Sequence, residues 1–516
     1  MVLDNINDME KRRLYFRKHI SGAVTCLLGM IVLFLFSNCD KAVIEPIDTV
    51  ELRSGYSIQL TAPSNMQWGS ENPSVATVSS TGLVTAVGAG TTTIYTYSSA
   101  NDRTIICYLE VFPKRNLLFY IGSDTNGLDN GSSGDEPRAM INAMRAGWKP
   151  GMGEMLIYAD QTNRPPCLMR INETRTGELY GIDTIHVYSE ENSADAAVLS
   201  RIIHTVASEY PADSYGMIFF SHASGWLPEG MLNSPRSSET GYSVTEQFYA
   251  NKEMLSTDPR SLVIDKGDGT SREMKYQDFA AAIPDNQFDF IIFEACFMAD
   301  VMTMYELRNK TEYILASSAE IVSPGFTPLY KNEVMRLFDT KIPVQLVASD
   351  FGQIYVDYLK SSYPENNVYC STTMGLINMS EMQNLATTVK TALNDVKLNE
   401  STLQVDNIQR FDRPNKLIGS GQRRNRYFDL GHVMEHLVSS SQYAAFQEQM
   451  EKTVVWKDNT KRFLLANYGN GEPYFSEYDG FFIEHHSGLS TYIEQAVYPQ
   501  LNSAYINSAW YKAIYQ

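Results

Sequence analysis

One pattern repeats between residues 114 and 318: a strand-length run that is apolar throughout, then a stretch with helical periodicity. The runs are NLLFYIG, EMLIYAD, DTIHVYS, GMIFFS, FDFIIFE and YILASS, and the helical pattern is clearest in DEPRAMINAMRAGW, ADAAVLSRIIHTVASEY and KYQDFAAAI. A strand without polar alternation offers no face to water, so it must be covered on both sides. Such strands separated by amphipathic helices define an α/β domain with a mainly parallel sheet and helices on both faces. A sheet of this kind binds ligands outside the carboxyl ends of its strands, so the residues just past each run are where chemistry is expected.

A chain of 516 residues is too long for one core, and the texture upstream is different. From 44 to 113 short β-branched runs (YSIQLTA, SVATVSS, GLVTAVG, TTTIYTYSS, IICYLEVF) alternate with turn-forming APSN, ENP, STG and GAG, which predicts a small antiparallel sandwich. The stretch MQWGSENPSVATVSSTGLVTAVGAGTTTIYTY closely resembles the bacterial Ig-like group 2 domain. That resemblance makes Trp68 a core residue and Cys107 a structural thiol. Modules of this type usually serve as spacers. Beyond the parallel-sheet pattern, helices dominate 329 to 400, 401 to 470 is mixed and polar, and FSEYDGFFIEHHSGLSTYIEQAVYP predicts more β structure and a short helix.

The amino-terminus reads as an address. The basic KRRLYFRKHI, the apolar SGAVTCLLGMIVLFLF and the abrupt polar SNCDK have the order of a secretory signal, and the apolar run is short for a spanning helix. The residues before Cys39 resemble the lipobox of bacterial lipoproteins, although Phe36 and Asn38 depart from its usual Leu and Gly or Ala. The resemblance implies lipidation of Cys39 and anchoring to a membrane of the bacterial cell envelope, facing the periplasm or the cell surface. Cleavage there removes Lys11, Arg12, Arg13, Arg17 and Lys18 against Asp4, Asp8 and Glu10, so the mature chain is more acidic than the net −18 of the whole. That charge disfavours nucleic acid as a partner and suits cationic substrates. Cys107, Cys167, Cys296 and Cys370 are too few and too scattered for a disulfide framework and have no CxxC metal spacing.

Two apolar runs end on reactive groups. YGMIFFSHASGW places His222 just past one, and FDFIIFEACFMAD places Cys296 just past another. If those strands are parallel neighbours, imidazole and thiol share a rim, the first requirement for activating a cysteine nucleophile. The small residues after His222 admit a substrate backbone, and the N–H just after it can help bind an oxyanion. FMADVMTMYELR begins a helix, which places the thiol near a helix N-terminus that favours thiolate. Met298, Met302 and Met304 read as core. The strand-end acids Asp124 and Asp160 are further rim candidates. His186 and His204 read as structural, and His485 with His486 lacks the HExxH context of a zinc site.

In this setting SHASGW and FEACFMAD resemble the paired elements of the clostripain family of cysteine peptidases, which have a caspase-like fold. LLFYIGSDTNGLDN, YILASSAEIVSPGFTPLY, YFDLGH and GLSTYI are weaker echoes in the same order. The resemblance implies that His222 is the catalytic histidine and Cys296 the nucleophile. The backbone N–H groups of Ala223 and Cys296 are then oxyanion donors. Glu294 stands where the family has the Asp that pairs with a substrate's Arg or Lys, and so implies a basic preference. Ala223 replaces a family Gly, which matters if that position needs φ > 0. Family members often cut themselves between the two catalytic strands. Here the loop 227–274 offers Arg236, Lys252, Arg260, Lys266 and Arg272. DKGDGT in that loop has calcium-like oxygen spacing without the distal Glu of an EF-hand, so calcium is carried as an option and no other metal or cofactor is expected.

The expected organisation is a multidomain chain: signal 1–38, Ig-like domain 39–113, caspase-like peptidase core 114–400, and the C-terminal part of the peptidase unit 401–516. The expected activity is endopeptidase cleavage of protein or peptide substrates after basic residues. The rival expectation is a non-catalytic surface binding or adhesion lipoprotein with a degenerate peptidase fold. Cysteine-dependent cleavage separates the two.

Overall fold

The computed structural model describes residues 49–63, 65–98, 102–123, 136–162, 164–228, 262–265, 272–412, 415–416, 423–463, 466–469, 472–475 and 480–516. The signal segment, Cys39, Asp124 and most of the 227–274 loop lie outside the described residues, as do Lys266 to Thr270 of DKGDGT.

Residues 49–112 form two facing sheets, one of four strands and one of three. All pairings are antiparallel except one: Thr49–Arg53 runs parallel to Arg103–Phe112. Cys107 is buried as a structural thiol should be. Trp68 is only half-buried, and its ring lies over Gly82, where a Cβ would stand 2.7 Å from it. Only Pro113 and Lys114 separate this unit from the first strand of the next, and several polar contacts fix it there. Ser54 Oγ donates to Asp213, the Lys114 N–H donates to Asp213 at 2.8 Å, and Arg53 pairs with Asp339 at 3.2 Å.

The second unit is built on a nine-stranded sheet. In chain order its strands are β1 (Arg115–Gly122), β2 (Met155–Gln161), β3 (Arg164–Thr176), β4 (Leu179–Val187), β5 (Ser214–Phe220), β6 (Phe288–Glu294), β7 (Thr311–Ala316), β8 (Thr373–Asn378) and β9 (Val454–Asn459). They are arranged β4-β3-β2-β1-β5-β6-β7-β8-β9. The central strands β2, β1, β5, β6 and β7 are mutually parallel, whereas β3 and β4 on one side and β8 and β9 on the other pair antiparallel. The sheet is therefore mixed. The parallel expectation holds where strands are apolar throughout and fails at the edges, where strands need cover on fewer sides. DTIHVYS is one such antiparallel edge. β3 carries Pro165 and Pro166 and a polar second half, and β8 sits unannounced among helical patterns.

Alternate side chains of the central strands enter two cores. Met217, Phe219, Ile291 and Phe293 face α2 (Ala196–Glu209), α3 (Tyr276–Ala282), α4 (Val301–Leu307) and the carboxyl-terminal helices, and Met298, Met302 and Met304 belong to this core. Ile218, Phe220, Phe290 and Ile292 face α1 (Glu136–Gly147), the Thr327–Phe338 segment and the helix Val344–Ser362. Both faces of the sheet are closed, so only its ends remain for chemistry.

Candidate active site

Strands β5 and β6 are parallel neighbours, with Gly216 opposite Phe290 and Phe220 opposite Glu294. His222 lies two residues past Phe220, and Cys296 lies two past Glu294. His222 and Cys296 thus follow adjacent strands, about 5 Å apart, at the same step and the same rim. His222 is buried, with 7% of its surface exposed, while Cys296 keeps partial exposure.

The segment after β7 forms the wall of this rim. It is bonded to the cysteine loop at each step: Phe297 N–H to Ala319 O at 2.9 Å, Ala299 N–H to Ser317 O at 2.9 Å, and Ile321 N–H to Cys296 Sγ at 3.3 Å. The thiol is pushed up to about 12 by burial and by the Glu320 carboxylate, with the Ile321 N–H opposing them. This corrects the expectation of a thiolate favoured by a helix end. Helix α4 begins only at Val301, capped by Asp300, so its N-terminus serves its own cap and the sulfur meets Ile321 instead.

Farther along the same wall, two carboxylates are held. Phe326 N–H and the Tyr330 hydroxyl each donate to Glu294 at 2.5 Å, and Ser323 Oγ donates to Glu136 at the start of α1. Gly325, at φ 58°, admits this approach, since a Cβ there would lie 2.2 Å from Glu294 Oε1. Burial pushes Glu294 up to about 8; Tyr330 and Phe326 hold it back and Glu136 adds to the rise. Burial raises Glu136 as well. Neither has a Lys or Arg partner among the described residues. Glu320 was legible only as part of a family-like segment, and Glu136 carried no signal in the sequence at all, since only the fold brings α1 to this wall.

The histidine loop is a turn closed by Leu227 N–H to Ser224 O at 3.3 Å, with Gly225 at φ 55°. Ala223 is not among the positive-φ residues, which here are Gly225 and, on the cysteine loop, Phe297 at φ 58°. Replacing the family Gly by Ala223 therefore carries no backbone penalty. Two C-terminal landmarks converge below. The Tyr427 hydroxyl donates to Ser224 O, and its ring stacks on Phe297 at 4.4 Å. Phe428–Asp429 pairs with Ser490–Thr491, and Ser490 N–H reaches Ala299 O at 2.8 Å.

Asp160 lies on the same rim, buried at the carboxyl end of β2 one residue past the level of Phe220 and Glu294, where its field acts on Tyr158 and Cys167. The histidine candidates fall elsewhere. His186 pairs with Glu209 at 2.9 Å, and His204 is exposed on α2. His485 stacks on His432 at 3.6 Å, and with Glu435 they bring potential ligand atoms within 4.8 Å of one another. The donor set does not suit a cation: His432 Nδ1 accepts the Gln409 N–H at 3.0 Å, which leaves the neutral ring's proton on Nε2. Burial, His485 and His436 push His432 down to about 4.

The fold is thus an Ig-like module followed by a caspase-like α/β domain. The Clostripain family model matches residues 120–244 and 245–512, and the model for the bacterial Ig-like domain (group 2) matches 41–106. Among solved structures, an inactive zymogen C11 protease from Parabacteroides distasonis is 27% identical with a TM-score of 0.57, covering 78% of this chain and 99% of its own. A secreted C11 cysteine protease from Bacteroides thetaiotaomicron, solved with an irreversible peptide inhibitor, is 25% identical with a TM-score of 0.60 and the same coverage, 78% and 99%. No curated protein matches the chain. The chain belongs to the clostripain family and is a cysteine endopeptidase.

Proposed function

We propose that Cys296 and His222 form the catalytic dyad of an endopeptidase that cleaves after Arg or Lys. The register of β5 on β6 carries this reading, because it delivers both side chains to one rim. His222 takes the thiol proton as sulfur attacks the scissile carbonyl carbon. The resulting oxyanion is held by the N–H groups of Ala223 and Cys296. As the C–N bond breaks, the imidazolium proton passes to the leaving amine, and water then releases the acyl group from sulfur with His222 again as base. Glu294, buried without a Lys or Arg partner among the described residues, receives the substrate's basic side chain.

The raised ionisation of the Cys296 thiol fits a resting chain that still awaits activation, and self-cleavage in the 227–274 loop at a basic residue supplies it. We place the enzyme in the bacterial cell envelope, anchored through lipid on Cys39 with the Ig-like unit as spacer. The deciding experiment incubates the chain from about residue 40 with Arg- and Lys-ended fluorogenic peptides beside Cys296→Ala. Loss of release only in the variant supports the dyad; no cysteine-dependent release, with no iodoacetamide labelling of Cys296, would leave a binding or adhesion role in its place.

A further inference from the structure

Asp300 joins two pieces of the machinery that the sequence keeps far apart. It is fully buried, and its Oδ1 caps α4 by accepting the Thr303 N–H at 2.9 Å. Its Oδ2 has no well-formed hydrogen bond among the described residues and lies against the histidine turn: a Cβ at Gly225 would stand 2.5 Å from it and 2.4 Å from Phe297 O. The turn's next N–H, that of Trp226, is close enough to favour the carboxylate, while burial drives the group up to about 7. Gly225 is therefore wedged between the cysteine loop and the cap of the helix that follows it. On the far side, Asp300 bridges to Ser490, so this residue is itself fixed by the C-terminal strand pair.

We propose that Asp300 is a positioning residue whose carboxylate seats the His222 turn against the Cys296 loop and so sets the geometry between imidazole and sulfur. The inference rests on the dyad assigned above. A buried carboxylate is an expensive helix cap where Ser or Asn would serve. The second oxygen, beside Gly225 and near the Trp226 N–H, gives the carboxylate a reason to be there. Both partners are short and rigid, so a displacement of the turn passes directly to His222, three residues before Gly225.

The test uses the full chain with Asp300→Ser, which caps α4 but cannot reach the turn, and Asp300→Asn, which caps but can set an N–H donor against donors. Each is expected to keep the parent's circular dichroism and to lose about 30-fold in kcat with KM changed less than about threefold, the split expected for transition-state geometry. Gly225→Ala probes the contact from the other side. Combined with Asp300→Ser it should lose at least about fivefold less than the product of the single losses. Folded Asp300 variants with the parent's kcat, or a double variant that loses the full product, would overturn the proposal. Cys296→Ala and His222→Ala are measured alongside: if they retain activity, the dyad assignment falls, whereas if they are inactive while Asp300→Ser turns over normally, only the positioning role falls.

Discussion

Strand β6 carries a carboxylate at each end, and the two have opposite surroundings. At the amino end, Asp289 meets Arg115 at 2.9 Å, and Ser214 bridges them, accepting from Arg115 Nε at 2.7 Å and donating to Asp289. Arg115 also donates to Leu337 O at 3.2 Å and packs over Phe290. At the carboxyl end, Glu294 is buried with neutral donors alone. The first end is a closed network in which each charge is answered within the chain. The second holds a charge site in reserve, and a cation arriving from outside would complete it. The same sheet thus spends one rim on stability and docking of the Ig-like unit, and the other carries the proposed chemistry.

The contrast can be tested from its strongest element down. Cys296→Ala and His222→Ala should each lower kcat/KM by at least about 1000-fold, while leaving the melting temperature near the parent value, because they remove chemistry from the reserved rim. Peptide hydrolysis and calorimetry together check this. Arg115→Ala should do the reverse, costing about 3 kcal/mol of stability by denaturant titration with activity retained in the folded fraction, because it strands Asp289. That cost is at the low end of the range for buried pairs, since Asp289 is 33% exposed.

Glu294→Gln should lower kcat/KM on basic substrates about 100-fold yet raise stability by about 1–2 kcal/mol at pH 8.5. The sign follows from the raised ionisation of Glu294. Between the ordinary carboxyl range and about 8 the folded chain holds a proton that the unfolded chain has released, so this residue's contribution to stability falls as pH rises through that window. At pH 4 the variant should gain nothing. Stability curves at the two pH values decide it. In the uncut chain, iodoacetamide alkylation of Cys296 should still be rising above pH 10, with no plateau near neutrality, because burial and the Glu320 carboxylate push the thiol up to about 12. A plateau by pH 8 would show that the thiolate forms before activation.

Much of this was legible in one sequence because it rests on local patterns. Unalternating runs mark the five central strands, and the strand-end rule singles out His222 and Cys296 from the sequence alone. Departures arose where a local pattern has no counterpart in long-range packing. DTIHVYS and FDFIIFE look alike as runs, but the first is an edge strand paired antiparallel with β3. FMADVMTMYELR reads as a helix beginning near the thiol, whereas Asp300 delays its start and Ile321 takes the sulfur.

The sequence by itself determined the two-unit plan and the buried sheet, and it singled out the pair proposed to react, because burial and backbone periodicity are written in neighbouring residues. Only the tertiary structure decided that Glu136 and Glu320 stand near the rim, that Glu294 and Glu136 have no Lys or Arg partner among the described residues, and that Asp300 touches the histidine turn. Those facts depend on which segments share a low-dielectric space. Electrostatics in such a space follows distance through the fold, to which order along the chain is no guide.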